Sequence, residues 1–409
     1  MNHAKLLFLA VIVPELCSPA RVQWNDPGKD ARLTADEFAI FAWSPTGGDP
    51  VQLRYLKECG FNLAGFVATQ NLGAVARAGL QCIVADPSID IDMSGGLTDR
   101  KVVDERIAKL VKKVGKNPAV WGYYLRDEPW EMHYKELAQW ADALRRYAPG
   151  AKPYINLLPN FGVFPIDYTS GRYEQYVQGL VDIVKPAFLS YDHYALMADG
   201  TLREGYFQNL ESMRTVALRN SLPFWNIVLA NSHFKYAEPS DTTLRFQVYT
   251  SLAYGVRGIS YFTYFAPPIG NYRSAAIDQF GNKTPTWDML RRINLQIHKL
   301  GPTYIKLKSV NVFHYPDVPV ACRGIASSKY VASLQGGSLL VGEFEGPGGV
   351  PYVLVVNKSL HDSTPFSVKL KGGTDLELVS QYDGKPRPVG PEDWWLAPGE
   401  GELLRLKKG

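Results

Sequence analysis

The chain has 409 residues, 46% of them apolar and 21% charged, which excludes a disordered or collagen-like polymer. Lys and Arg (44) exceed Asp and Glu (40) by only four. The basic residues are scattered, and Lys112, Lys113 and Lys116 make no phosphate-tracking face, so no nucleic-acid partner is expected. The 9 Trp, 23 Tyr and 18 Phe say more, because Tyr and Trp suit open clefts where one face is apolar and one edge hydrogen-bonds.

Residues 1–20 read as a secretory signal. Lys5 supplies the positive start, Leu6 to Val13 form an apolar run, and Ser18-Pro19-Ala20 offers small residues at a cleavage site. Eight apolar residues are too few to span a bilayer. The expectation is a secreted or periplasmic protein with no membrane association once the signal is removed. Anchoring through Cys17 is the weaker variant. Cys59, Cys82 and Cys322 then remain, too few for a disulfide framework, and no Cys-x-x-Cys or His-x-x-x-His spacing suggests a metal. No cofactor is implied.

From about residue 36 to 302 a short apolar run, a turn and an amphipathic stretch recur. Strands are expected at Phe38–Trp43, Asn62–Val67, Gln81–Ala85, Val120–Leu125, Pro153–Leu157, Phe188–Tyr191, Phe224–Leu229 and Gly258–Tyr264. Between them lie helical patterns such as Lys135–Tyr147, with Leu137, Ala141 and Leu144 on one face, and Thr242–Tyr254, opened by the capping pair Ser240 and Asp241. A last helix is expected from Pro285 to Leu300, stopping at Gly301-Pro302. Eight such units match the size and alternation of a (β/α)8 barrel. The competing doubly wound sheet would offer a Gly-rich phosphate loop, and none is present. Over residues 303–409 the period changes to two. Strands at Ser338–Phe344, Tyr352–Val356, Phe366–Leu370, Glu377–Tyr382 and Glu402–Leu406 predict an all-β sandwich.

A barrel of this kind carries its site at the C-terminal ends of its strands. The sharpest stretch there is Trp121-Gly-Tyr-Tyr-Leu-Arg-Asp-Glu-Pro-Trp130, in which an aromatic run delivers Asp127 and Glu128 and stops at Pro129. Burial among Tyr and Trp would raise a carboxyl pKa, as a general acid near neutral pH requires. Against this, strict alternation along the strand would set Arg126 and Glu128 on one face, where Arg126 would hold Glu128 ionised. The other strand ends offer Trp43, Asn156, Asp192, His193, Tyr194, Asn231, His233 and Tyr264. Trp43, Tyr194 and Tyr264 are candidates to stack on the apolar faces of a ligand. Asn156, His193, Asn231 and His233 are candidates to hydrogen-bond to it.

The Glu-Pro pair on strand four resembles the acid/base motif of the large retaining clan of (β/α)8 glycoside hydrolases. With Tyr254-Gly-x-Arg-Gly-x-Ser-Tyr-Phe-Thr-Tyr264 and a sandwich after the barrel, the chain looks most like glycoside hydrolase family 42 and its unassigned relatives. The resemblance implies that Glu128 protonates the glycosidic oxygen. Two departures stand out. Asp127 replaces the clan's usual Asn, and strand seven, Phe224-Trp-Asn-Ile-Val-Leu-Ala-Asn-Ser-His-Phe234, ends without the Glu that serves the clan as nucleophile.

Three repairs remain open. Asp192 could be the second carboxylate, as base or nucleophile according to its distance from Glu128. Glu238 could reach back over the mouth. Alternatively, the Asp-Glu-Pro motif resembles glycoside hydrolase family 123, and the Asp-Glu pair family 20. That resemblance implies that Asp127 orients a substrate acetamido group that attacks the anomeric carbon. The expected activity is hydrolysis of an oligo- or polysaccharide, and the alternative is a carbohydrate-binding barrel without catalysis.

Overall fold

The computed structural model describes Leu33 and residues 37–373 and 375–407. The leader reading, on residues 1–20, lies outside them. Eight parallel strands form the barrel: β1 (Ala39–Ala42), β2 (Leu63–Val67), β3 (Gln81–Val84), β4 (Val120–Asp127), β5 (Lys152–Asn156), β6 (Leu189–Asp192), β7 (Phe224–Leu229) and β8 (Gly258–Phe262). They pair in the order β5-β4-β3-β2-β1-β8-β7-β6. A parallel bridge between Leu157 and Tyr191 joins the two ends, with the Leu157 N–H donating to the Ser190 carbonyl at 2.7 Å. The sheet is therefore a closed barrel.

Around it run α1 (Pro50–Glu58), α2 (Leu72–Arg77), α3 (Arg100–Val114), α4 (Tyr134–Tyr147), α5 (Arg172–Val184), α6 (Tyr206–Arg219), α7 (Asp241–Ala253) and α8 (Pro285–Tyr304). Helix α7 starts as its sequence predicts, with the Ser240 side chain accepting from the Thr243 N–H. Helix α8 runs one turn further than expected. Leu300 and Tyr304 are buried there, and the Tyr304 hydroxyl donates to the Leu252 carbonyl at 2.6 Å, so tertiary packing carries the helix through Pro302.

Side-chain alternation sorts each strand between two cores, with a register irregularity in β4 between Val120 and Gly122 that sets Trp121 inward and Tyr123 outward. Phe41, Trp121, Tyr154, Phe188 and Trp225 fill the barrel interior, while Ile40, Tyr123, Leu125, Ile155, Tyr191 and Ile259 pack outward against the helices. The interior is unusually aromatic: Trp121 stacks on Trp225 at 5.2 Å between centroids, and Phe188 lies 4.5 Å from Trp225.

The C-terminal region holds β9 (Lys308–Tyr315), β10 (Val331–Gly336), β11 (Leu339–Glu345), β12 (Pro351–Asn357), β13 (Thr364–Leu370), β14 (Leu376–Val379), β15 (Pro386–Pro388), β16 (Trp395–Leu396) and β17 (Gly401–Leu406). A six-stranded antiparallel sheet in the order β15-β14-β17-β12-β11-β9 faces a three-stranded one, β10-β13-β16. Val341, Val353, Val355 and Leu404 point into the sandwich, and Leu340, Leu354, Val356 and Leu403 join the core shared with the barrel helices. Contact is close enough that a Cβ on Gly342 would lie 2.2 Å from the Ala253 carbonyl oxygen. In strand β9 the polar residues Ser309, Asn311 and His314 are buried while Val310 is only half-buried, the reverse of the sequence expectation.

Candidate active site

Strand β4 builds the site through a bulge. Tyr124 pairs with Tyr154 and Asp127 with Asn156, but Arg126 pairs with Ile155, so one extra residue is accommodated between Tyr124 and Arg126. Paired residues of neighbouring parallel strands share a face. Asp127 therefore comes onto the interior face with Asn156, and Arg126 falls on the face of Ile155. The expected pairing of Arg126 with Glu128 is thereby avoided. Glu128 then leaves the ladder in a left-handed conformation, φ 47°, with its N–H donating to the Asn156 carbonyl at 2.8 Å. A non-glycine residue held there signals local strain, which folds retain chiefly at functional positions.

Three carboxyl groups converge above the barrel. The Asn156 side-chain amide donates to Asp127 at 3.1 Å and to Asp192 at 2.8 Å. Two such bonds hold those carboxylate oxygens within about 6 Å of each other. The Asn156 oxygen accepts from the Ser190 hydroxyl at 3.0 Å, and Ser190 also meets the Tyr154 hydroxyl, so the amide's orientation is fixed from below. Burial first, and then the Asp127 charge, push the Glu128 carboxyl up to about 7. Asp127 is raised by burial against the opposing effects of Asn156 and the Arg126 charge. Asp192, 7% exposed, is raised well above the usual range by burial and by the charges of Glu128 and Asp127, with Asn156 opposing.

Tyr194 lies near this group. Its ring stacks on Phe262 at 5.5 Å and meets Tyr236 edge-on at 5.4 Å. Burial and the charges of Asp192, Asp127 and Glu128 push its hydroxyl up, so that it stays a neutral donor beside three acids. Trp43, half-buried, packs on Phe66 at 4.8 Å and Phe262 at 5.4 Å on the interior face.

Known structures share this architecture. A β-galactosidase from Bacillus circulans sp. alkalophilus aligns with TM-score 0.61 at 8% identity, over 90% of this chain and 99% of that one. A family 42 β-galactosidase from G. stearothermophilus, solved as a catalytic mutant, aligns with TM-score 0.59 at 8% identity, over 92% and 100%. A β-galactosidase from the psychrophilic Marinomonas ef1 aligns with TM-score 0.50 at 9% identity, over 67% of this chain, which spans 62% of that enzyme. No protein-family model and no curated protein sequence matches the chain. The likeness is one of fold. A (β/α)8 barrel followed by antiparallel sheets is the architecture these glycosidases use.

The remaining sequence candidates do not all converge on the mouth. His193 is buried against α6, its Nδ1 3.0 Å from the Asn209 side-chain oxygen, with Phe161 and Tyr206 on its ring; burial lowers it to about 3 despite Asn209. Asn231 is buried, donating to the Thr263 hydroxyl at 3.0 Å, and its oxygen lies 2.9 Å from His233 Nδ1. His233 sits among Tyr194, Tyr236, Phe262 and Tyr272, and burial lowers its pKa. Tyr264 faces outward, where its hydroxyl accepts from the Trp287 indole at 3.1 Å. It is a core residue because β8 ends at Phe262, so the strand's alternation no longer sets the face of Tyr264, which packs in the helix-facing core.

Glu238 is exposed on the rim, bonded to Arg273 at 3.0 Å and Ser274 at 2.6 Å. Although partial burial pushes its carboxyl up, Ser274 and Arg273 hold it below the usual range. Among the described residues, no group of three or more His, Cys, Asp or Glu is arranged to hold a metal ion. The sequence reading missed Phe66 and Phe262. Phe66 stands at φ 37° in an irregular stretch of β2 and packs on Trp43 and Tyr124; neither feature leaves a mark in the residue pattern.

Proposed function

We propose that the chain is a glycoside hydrolase that uses Glu128 as its general acid. The observation that carries this is a half-buried carboxyl at the end of β4, pushed up to about 7, with two further carboxyl groups beside it. Such a group still holds a proton near neutral pH and can give it to a leaving oxygen.

Asp192 supplies the second carboxylate. The charge on Glu128 is one of the causes that raise Asp192, so protonating Glu128 removes part of the penalty on ionising Asp192. The two groups titrate as a pair, one carrying the proton while the other is charged. That is the division of labour between acid and nucleophile, or between acid and base. Asn156 steadies the Asp192 carboxylate, and Tyr194 keeps a neutral hydroxyl near the three carboxyl groups.

A second reading is favoured by Asp127 lying beside Glu128 on the interior face while strand seven ends without an acid. There a substrate acetamido group attacks the anomeric carbon, oriented by Asp127. The leader pattern of residues 1–20 supports an exported enzyme, secreted or periplasmic, which meets its glycan outside the cytoplasm. Fractionation of expressing cells, with and without those residues, tests the export reading.

The activity is tested on 4-nitrophenyl β-galactoside, β-glucoside, N-acetyl-β-galactosaminide and N-acetyl-β-glucosaminide, and on β-linked oligosaccharides. Turnover by the wild type, abolished in Glu128→Gln, is the expected result. Binding of oligosaccharides without cleavage of any would replace the hydrolase with a carbohydrate-binding barrel. Azide restoring turnover to Asp192→Gly, with a glycosyl azide as product, marks Asp192 as nucleophile. Cleavage confined to N-acetyl sugars, with no azide rescue, marks the acetamido route.

A further inference from the structure

Immediately past Glu128 and Pro129 the chain presents Trp130 at the surface, 50% exposed, and across from it Phe164 in the β5–α5 loop, 60% exposed. Their rings are nearly parallel, 9° apart, with centroids separated by 6.5 Å. Neither ring fills a core. Met132 and Ile166, from the same two loops, are exposed as well.

The platform is fixed in place. The Tyr176 hydroxyl donates to the Pro129 carbonyl at 2.7 Å, and the Trp130 N–H donates to His133 Nδ1 at 3.1 Å. Arg172 ties the two loops together, pairing with both oxygens of Glu131 while its Nε donates to the Phe164 carbonyl at 3.1 Å. Two large rings exposed on braced loops are a surface arranged for contact, not a mobile tip.

We infer that Trp130 and Phe164 form the subsite for the leaving-group sugar of an oligosaccharide. The inference rests on the hydrolase reading of Glu128. A general acid delivers its proton to the glycosidic oxygen, and the departing sugar is bonded to that oxygen, so it lies beside the acid. The loop that continues from Glu128 ends two residues later in Trp130. Sugar rings carry apolar C–H faces that pack on flat aromatic surfaces, whereas a small aglycone would leave this platform uncovered. The occupant is therefore a further sugar of a chain, and the preferred substrate is an oligo- or polysaccharide.

The test compares a β-linked trisaccharide with the β-glycosyl fluoride of the same sugar, in the galactose, glucose and N-acetylgalactosamine series. Fluoride departs without a sugar on the leaving side. For Trp130→Ala and Phe164→Ala, the ratio of kcat/KM on the trisaccharide to that on the fluoride is expected to fall about tenfold or more. Circular dichroism melting verifies that each variant folds. An unchanged ratio in folded variants overturns the inference. So does sedimentation showing that Trp130→Ala only dissolves a dimer.

If the wild type cleaves none of these compounds, the hydrolase reading fails by itself. Calorimetric titration with the same trisaccharides then decides the platform. A dissociation constant weakened about tenfold in Trp130→Ala supports it, and equal binding, or no binding by the wild type, overturns it.

Discussion

Glu343 in the sandwich and Asp192 in the barrel are both carboxylates taken out of water, and the protein treats them in opposite ways. Glu343 accepts from Asn311, from the Ser328 hydroxyl and from the N–H groups of Lys329, Tyr330 and Val331. Burial alone would raise it, but these donors hold it below the usual range. Asp192 has only the Asn156 amide and its own backbone N–H for donors and two other carboxyl groups for neighbours, and it is raised. Burial therefore does not mark a functional acid. What sets Asp192 apart is burial with few donors beside two other carboxyl groups at the barrel mouth. Glu402 in the sandwich is also buried and raised, to about 8, without such neighbours at a strand-end mouth.

This contrast can be broken in several ways, and the largest effect belongs to the mouth. Glu128→Gln is expected to lower kcat/KM on unactivated glycosides by about 100- to 10,000-fold, measured by steady-state kinetics. Asp192→Asn should match that loss without lowering the melting temperature, since it removes a charge the fold does not stabilise. A collapse of the fold in Asp192→Asn would erase the distinction between the two sites.

Next comes Glu343→Ala, which leaves the Lys329 and Tyr330 N–H groups without their acceptor, while the Val331 N–H keeps Ser328 and the Asn311 amide keeps Ser327. It should cost about 3 kcal/mol or more in denaturant unfolding. A variant as stable as the wild type would mean that Glu343 is no anchor.

The pH windows are opposite. Glu343, held low in the fold, contributes stability above the ordinary carboxylate range that is lost as pH falls through its folded pKa. Glu128, raised to about 7, is accommodated best below the ordinary range, and its stability contribution is lost as pH rises toward and through 7. Glu128→Gln should consequently be more stable than the wild type at pH 8, by about 1–2 kcal/mol after solvent screening of a half-buried group. An unaltered pH–stability curve would contradict the raised value. The smallest effect is expected at Glu238→Gln, which breaks an exposed pair with Arg273 and should cost about 1 kcal/mol or less, leaving substrate cleavage within about twofold.

Much of this was legible in the residues. Period and turn chemistry located all eight barrel strands, and Asp127, Glu128, Asp192, Asn156 and Tyr194 lie together at the mouth. What stayed hidden depended on which way a side chain faces. Tyr123, Tyr191, Tyr261 and Tyr264 lie at or near strand ends, yet all four pack outward in the helix-facing core. A one-residue shift decides such a question, and the bulge in β4 that re-aims Asp127 is written in pairing, not in composition. The aromatic wealth of the sequence thus divides between the two cores and a smaller mouth. Strand ends in β13 and β17 were readable from alternation, whereas the short edge strand β15, with prolines at both ends, was not.

The account turns on proton donation by Glu128, and leaving-group dependence tests it most directly. Wild type and Glu128→Gln would be compared on a 2,4-dinitrophenyl glycoside, whose leaving group needs no proton, and on the matching disaccharide, whose leaving group does. The prediction is a loss on the disaccharide at least about 100-fold greater than on the dinitrophenyl glycoside. An equal loss on both substrates, or none on either, would contradict Glu128 as the acid.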